Sequence, residues 1–406
     1  EMLRSLVGSE MCIRDSYGAV EQGARQSMFL KIQTVFEQFG FSPLSTPTLE
    51  YKEILMGKYG DDEKLVYSFQ DNGGRDVAMR YDLTVPLARY VAENQGSLLL
   101  PFKRYQIAPV WRADNPQKGR LREFYQCDVD AVGTDSILAD AEVIACVAKA
   151  LEALGLSNYK IRINDREIFS QFSQDTVRMI DKVEKIGVEA MTKEMRERGV
   201  SDSEIEQATN LVSGNTKALP ERLSSVIDAL KKFGLKGEID FDPTIARGLD
   251  YYSGTVFEIV LPEKPEYGSI AGGGRYDGLV DQFSEQSYPA VGASVGIDRL
   301  YGALDELGLL PKATGAEVIV LNLEAELGSD YLELASSLRA EGINTELFYE
   351  PAKLEKQFKY AERKNITWAV VMGSEELKSG KLKLKNLSTR EQTEVSKSEL
   401  ITKLQS

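Results

Sequence analysis

The sequence predicts an α+β fold in two parts, a large mixed domain followed by a smaller α/β domain. Three observations carry this. Residues 102–133 and 237–261 have the composition and alternation of sheet strands, with helical periods before and between them. Residues 170–236 are charged and mostly helical, as an insertion would be. Residues 316–406 begin with alternating strands and helices, the pattern of a βαβαβ unit with a parallel sheet.

Taken in order, the chain opens on a segment that fits neither part. "LVGSEMCIRDS" (Leu6–Ser16) has no helical or strand period and resembles one reading frame of a transposase adapter from sequencing libraries. Residues 1–16 are therefore set aside as a non-native scar, and Cys12 with them. From Glu21 to Phe39, Met28, Phe29, Ile32, Val35 and Phe36 recur at helical spacing, and Gly40 supplies a stop. "FSPLSTPTLEY" reads as extended chain broken by Pro43 and Pro47. "RYDLTVPLARYVAEN" (80–94) is a strand end running into a helix. Phe102 to Gly133 gives two strands around the loop "ADNPQKGR", and 137–154 a helix. In the insertion, Ser201 and Glu204 form a capping-box pattern. Strands return over 237–261 and near Gly268. "VGASVGIDRL" (291–300) is a glycine-containing strand leading into a helix, which places Arg299 near a helix start. "GLLPKATGAE" (308–317) has the composition of a linker. It divides domains at 17–312 and 316–406.

Charge and composition narrow the chemistry. The formal net charge of -14 argues against a nonspecific nucleic-acid coat. No apolar run approaches the ~18 residues of a membrane span. Three cysteines without metal-ligand spacing point to a reducing compartment. Histidine is absent, so no imidazole can act as base, nucleophile or metal ligand.

Two stretches resist a purely structural reading. Between Lys103 and Arg122 lie six basic residues, Lys103, Arg104, Arg112, Lys118, Arg120 and Arg122, against one acid, Asp114. Guanidinium forks suit phosphate oxygens. Alternation along the second strand puts Arg122, Phe124, Gln126, Asp128 and Asp130 on one face, and apolar neighbours imply that this polar face lines a pocket. The second stretch, "ARGLDYYSGTVFEI" (246–259), is a strand with an arginine, an aspartate and two tyrosines in its first half. "GGGRYDGL" (272–279) adds a bend or a close backbone approach.

Together these segments resemble the histidyl-tRNA synthetases, a family of class II aminoacyl-tRNA synthetases, from Tyr17 to the C-terminus. "STPTLE" is similar to class II motif 1, "VWRADNPQKGRLREFYQ" to motif 2 and "VGIDRL" to motif 3. "RGLDYY" and "GGGRYDGL" resemble the histidine-specific segments. The resemblance implies an antiparallel sheet flanked by helices with a C-terminal anticodon-binding domain, in a cytoplasmic homodimer with Pro47 at its interface. It implies L-histidine, ATP and tRNA-His as substrates, with Mg²⁺ carried by ATP, no resident metal, and no membrane or DNA partner. By the match, Arg112 grips the α-phosphate, Asp114 and Arg120 complete the nucleotide site, and Phe124 and Arg299 sandwich the adenine. Arg247 corresponds to the family's catalytic arginine, touching both the substrate carboxylate and the α-phosphate. Asp82 and Thr84 take the α-ammonium. Gln126, Asp130, Tyr251, Tyr252 and Tyr276 line the histidine pocket. Gln117 and Lys118 face the acceptor end of the tRNA.

The chain departs from the family pattern at Asp114, one methylene shorter than the usual acid, at Asn115 and at Tyr125. Two other readings compete: a regulatory paralogue that binds histidine without charging tRNA, and a tRNA-sensing module. The first would lack the C-terminal domain and lose parts of the "RGLDYY" and ATP sets, both of which this chain keeps; the second would lack catalytic arginines, and Arg112, Arg247 and Arg299 are present.

Overall fold

The computed structural model describes residues 16–57, 60–115, 121–214, 219–246, 251–310 and 315–405. The segment set aside as non-native therefore lies outside the described residues except for Ser16. So do Gln117, Lys118, Arg120 and Arg247.

Two compact units divide between Lys312 and Ala313. The first begins with helix α1 (Ala19–Gln38), which buries Met28, Phe29, Ile32, Val35 and Phe36 along one face. Strand β1 (Ser42–Pro43) follows. A small antiparallel sheet, β2 (Leu49–Tyr51), β3 (Ser68–Gln70) and β4 (Asp76–Met79), has β4 in its middle. Short helix α2 (Lys52–Leu55) lies between β2 and β3, and α3 (Thr84–Asn94) follows β4.

The large sheet adds β5 (Phe102–Trp111), β6 (Glu123–Val132), β7 (Lys160–Asp165), β8 (Glu238–Phe241), β9 (Thr255–Val260), β10 (Ser269–Arg275) and β11 (Ala290–Gly296). Its order is β1-β5-β6-β11-β10-β9-β7-β8. Every pairing among its six inner strands is antiparallel, and only the two edge strands pair in parallel. Helix α4 (Ile137–Ala153), made mostly of Ala, Val, Ile and Leu, covers one face together with α1.

The segment 170–236 divides its packing. Helices α5 (Gln174–Glu197) and α6 (Asp202–Val212) form a separate apolar cluster around Met179, Met191 and Ile205. Helix α7 (Glu221–Leu230) instead buries Leu223, Val226 and Leu230 in the main core. Only half of the predicted capping box forms. Ser201 Oγ accepts from Glu204 N at 3.3 Å, but the Glu204 carboxylate turns to Ser173 N (2.7 Å) and Thr176 Oγ1 (2.6 Å). It thus ties the starts of α5 and α6 together, where the box would have bonded its own N-cap. Helix α8 (Ile297–Glu306) continues directly from β11.

The second unit contains β12 (Val318–Val320), α9 (Gly328–Ala340), β13 (Thr345–Leu347), α10 (Leu354–Arg363) and β14 (Trp368–Val371), with the three strands parallel. Beyond them lie α11 (Ser374–Ser379), β15 (Leu382–Asn386), β16 (Gln392–Val395) and α12 (Lys397–Gln405). Strands β15 and β16 extend the sheet antiparallel, so the parallel core acquires an antiparallel edge.

Candidate active site

Strands β5 and β6 carry the site. Cys127, Val129 and Ala131 of β6 are buried in the core shared with α1 and α4. Phe124, Gln126, Asp128 and Asp130 therefore point to the opposite face. Register places Arg104 opposite Asp130 and Gln106 opposite Asp128 on β5. On the other side, β11 places Gly292, Ser294 and Gly296 opposite Asp130, Asp128 and Gln126.

One end of this face is closed and acidic. The Tyr276 hydroxyl donates to Asp130 Oδ1, and Arg104 Nη2 lies 2.7 Å from Asp130 Oδ2. Arg104 also donates to Leu83 O at 3.1 Å. Arg104, Asp130 and Tyr276 are 0%, 2% and 2% exposed, so these charges depend on each other for compensation. Burial pushes Asp128 up to about 7; Arg104 opposes this and the neighbouring Asp130 charge adds to it. Asp130 is raised by burial too, against Arg104 and the Tyr276 hydrogen bond. The close fit requires glycine behind it: a Cβ on Gly292 would sit 1.8 Å from Asp130 Oδ1.

Aromatic rings wall this end. Tyr251 meets Tyr252 and Tyr276 edge-on, with centroids 5.1 and 5.8 Å apart. Burial, then the charges of Asp128, Asp130 and Asp82, raise the Tyr252 hydroxyl. Asp82 is buried, and its Oδ1 accepts from Thr84 N (3.2 Å) and Val85 N (3.0 Å), holding the start of α3. A helix-start carboxylate is electrostatically favoured there.

The other end is an open cavity of about 470 Å³ lined by Arg112, Asp114, Phe124, Gln126, Ser294 and Arg299, among others. Arg112 Nε donates to Tyr81 O at 3.1 Å, and its guanidinium lies 4.2 Å from the Tyr81 ring centroid and 5.1 Å from that of Phe124. Arg299, in the first turn of α8, donates to Ser269 O at 2.9 Å. Its neighbour Asp298 fixes that turn. Asp298 Oδ1 accepts from the Tyr17 hydroxyl (2.5 Å) and Arg25 Nη1 (2.9 Å), and Oδ2 from Tyr125 N (3.0 Å). Among the described residues, no cluster of three or more His, Cys, Asp or Glu side chains could hold a metal.

The sequence-predicted residues thus separate into two groups on one face. Arg112, Asp114, Phe124 and Arg299 surround the cavity. Asp130, Tyr251, Tyr252 and Tyr276 gather at the closed end, with Asp82 close enough to act on Tyr252 electrostatically. Thr84, half-buried, begins α3 beside Asp82. Gln126 stands at the boundary between the two groups. The basic run does not form one phosphate-facing surface. Lys103 bonds Phe39 O and Glu142, Arg104 is buried against Asp130, and Arg122 donates to Asp114 O. Sequence reasoning set Arg104 among the basic residues suited to phosphate, whereas it pairs with Asp130, placed Asp128 on the pocket-lining face, and gave no role to Ser294 or Asp298. The alternation that marked β6, applied to β11, would have drawn attention to Ser294.

An antiparallel sheet with arginines and an aromatic ring around one cavity defines the core of a class II aminoacyl-tRNA synthetase. A family model described as histidyl-tRNA synthetase matches residues 17–300, and one described as anticodon binding domain matches 317–406. The histidine–tRNA ligase of Rhodopirellula baltica is 40% identical over 403 residues, covering 91% of each chain. That of Treponema denticola is 39% identical over 422 residues, covering 94% of each. The crystal structure of histidyl-tRNA synthetase from Nostoc has a TM-score of 0.85 at 31% identity, covering 96% of this chain and 97% of that one. The chain belongs to the histidyl-tRNA synthetase family.

Proposed function

We infer that the chain ligates L-histidine to tRNA-His in two steps. The histidine carboxylate attacks the α-phosphorus of ATP and pyrophosphate leaves. A hydroxyl of the 3′-terminal ribose then attacks the acyl carbon and AMP leaves. The first nucleophile is already an anion, so the step needs alignment and charge stabilisation more than a base. A chain without histidine can supply both with arginines.

The observation that carries this reading is the pairing, on one sheet face, of a closed Asp130–Tyr276–Arg104 cluster with the Arg112–Phe124–Arg299 cavity. The closed end suits imidazole and ammonium donors. Gln126, Asp130, Tyr252 and Tyr276 would read the side chain, and Asp82 and Thr84 the ammonium. Arg112 would hold the α-phosphate of ATP, and Phe124 and Arg299 would stack the adenine. Mg²⁺ would arrive on the ATP phosphates. Arg120, Arg247, Gln117 and Lys118 keep the roles that the family match gives them. The 316–406 domain would bind the tRNA-His anticodon, and the enzyme would work in the cytoplasm. The regulatory-paralogue reading has no observation in its favour.

Homodimerisation through the β2-β4-β3 sheet is part of the proposal. Leu49, Tyr51 and Phe69 are exposed there, and cross-strand register aligns them with Met79 and Val77 on one face. Exposed apolar faces of this kind mark interfaces. Phe69→Glu should halve the particle mass in light scattering; an unchanged mass would rule this face out.

Histidine-dependent exchange of pyrophosphate into ATP, run against all twenty amino acids, tests the reading. Exchange with histidine alone is expected. No stimulation by histidine would overturn it.

A further inference from the structure

Among the described residues, the buried atoms Arg104 Nε and Nη1, Gln126 Oε1 and Asp128 Oδ1 of this face have no hydrogen-bond partner. Buried polar atoms are ordinarily paired, so their gathering on one sheet face marks where a polar ligand completes them. Two of them, Gln126 Oε1 and Asp128 Oδ1, are acceptors two residues apart on β6. Ser294 joins the two side chains. It faces Asp128 across the β6–β11 register. Gln126 Nε2 donates to Ser294 Oγ at 2.8 Å, and the Ser294 hydroxyl hydrogen-bonds to the Asp128 carboxyl.

The chemistry of the three groups sets the direction of this chain. Where Asp128 is ionised, above about pH 7, its carboxylate only accepts, so Ser294 donates to it. The Ser294 oxygen is then left to accept, which turns the Gln126 NH₂ toward it. The amide oxygen consequently points the other way, into the substrate face. Gln126 and Ser294 both line the cavity, whereas Asp128 lies behind them, 3% exposed.

We propose that Asp128 and Ser294 are positioning residues that lock Gln126 with its carbonyl oxygen toward the N–H donors of the amino-acid substrate. The proposal rests on the histidine-activating reading. It adds two residues that touch no reacting atom yet fix the polarity of one that binds substrate. Without the lock, the Gln126 amide turns freely between an orientation that accepts from the substrate's N–H groups and one that opposes them with its own. A buried hydrogen bond lost in this way costs about tenfold in affinity. The cost falls on histidine binding, because Gln126 belongs to the proposed amino-acid pocket and not to the phosphate site.

Replacing Asp128 separates polarity from packing. In Asp128→Asn, the new amide oxygen is drawn to the unpaired donors of Arg104, so the NH₂ faces Ser294. Ser294 must then donate to Gln126, and the carbonyl that served the substrate is consumed. In Asp128→Ala no group imposes a direction. Asn is therefore expected to do at least as much damage as Ala, although it matches aspartate in shape and fills the space that Ala empties.

The test is steady-state pyrophosphate exchange by the full chain at pH 8, where Asp128 is ionised, with KM measured for histidine and for ATP. Wild-type exchange with histidine checks the underlying reading. Given that, Ser294→Ala should raise the histidine KM about tenfold, with the ATP KM unchanged within twofold and kcat within threefold. Ser294→Thr, which keeps the hydroxyl, should restore most of the histidine KM despite its larger side chain. Asp128→Asn should raise the histidine KM no less than Asp128→Ala. The proposal is overturned if Ser294→Ala leaves the histidine KM at the wild-type value, if both KM values rise together, or if Asn is milder than Ala. Should Ser294→Ala fail to fold by circular dichroism, the Asn-to-Ala order at 128 decides alone.

Discussion

The two ends of the substrate face are built from the same strands but solve different problems. At the amino-acid end, charge is buried and internally paired: Asp130 is held by Tyr276 and Arg104, and glycine replaces side chains behind it. At the proposed nucleotide end, Arg112 donates to Tyr81 O and Arg299 to Ser269 O, and both line an open cavity. Under the proposed assignment, a small substrate that must be told from nineteen others would meet a preformed pocket. There, a missing hydrogen bond leaves a buried polar group unpaired, which can reject an analogue by roughly 10⁴–10⁵. A large, highly charged substrate would meet cations in a wide cleft, where its own charge does much of the binding.

Arg247 is the proposed bridge between the ends, so its loss should have the largest effect. Arg247→Ala is expected to lower the rate of adenylate formation by about 10²–10³ while leaving tRNA binding nearly intact. Equal loss of both, by rapid quench and filter binding, would make it a structural residue. Next comes Gly292→Ala, whose methyl would press on Asp130 Oδ1 and stand 3.1 Å from Tyr276 Cε1. Overpacking of this kind costs about 1–3 kcal/mol. The histidine KM should therefore rise about 10- to 100-fold, with the ATP KM unmoved. An equal rise in both would mean that the two ends are not separable.

The smallest effect is on stability. Burial raises Asp128 to about 7, so the folded chain binds this proton more tightly than the unfolded chain, where an aspartate titrates near ~3.9. Its contribution to stability is complete below about pH 4 and is lost as the pH rises through about 7. Between pH 5 and 8 the wild-type melting temperature should therefore fall relative to that of Asp128→Asn, which cannot ionise. Parallel curves in calorimetry would show that the carboxyl does not titrate in this window.

Much of the fold was legible because its elements are strongly periodic. Helix α1, strands β5 and β6, helix α4 and the β12–β14 unit follow from spacing alone. Strands β15 and β16 were not read. "LKLKN" and "QTEV" are short and polar, and only the pairing of β15 against β14 and of β16 against β15 makes them sheet. Helix α7 was grouped with the insertion because charge and helical period are local properties, whereas its burial in the main core depends on α4 beside it. At the site, the residues nominated from the sequence came from motif resemblance and β6 alternation. Arg104 was grouped with the basic residues that suit phosphate because its partner Asp130 becomes evident only when β5 is paired opposite β6. Asp298 stayed hidden because its partners, Tyr17, Arg25 and Tyr125, lie far away in sequence.

The division of labour along this face is tested most directly by one matched pair of variants in the pyrophosphate exchange assay. Tyr276→Phe removes the hydroxyl that donates to Asp130, and Arg299→Gln removes a cation from the nucleotide cavity. Tyr276→Phe should raise the histidine KM about tenfold, the usual cost of unpairing a buried charged group, and leave the ATP KM unchanged. Arg299→Gln should do the reverse. If either variant moves both constants together, the two ends do not act as separate sites and the account is wrong.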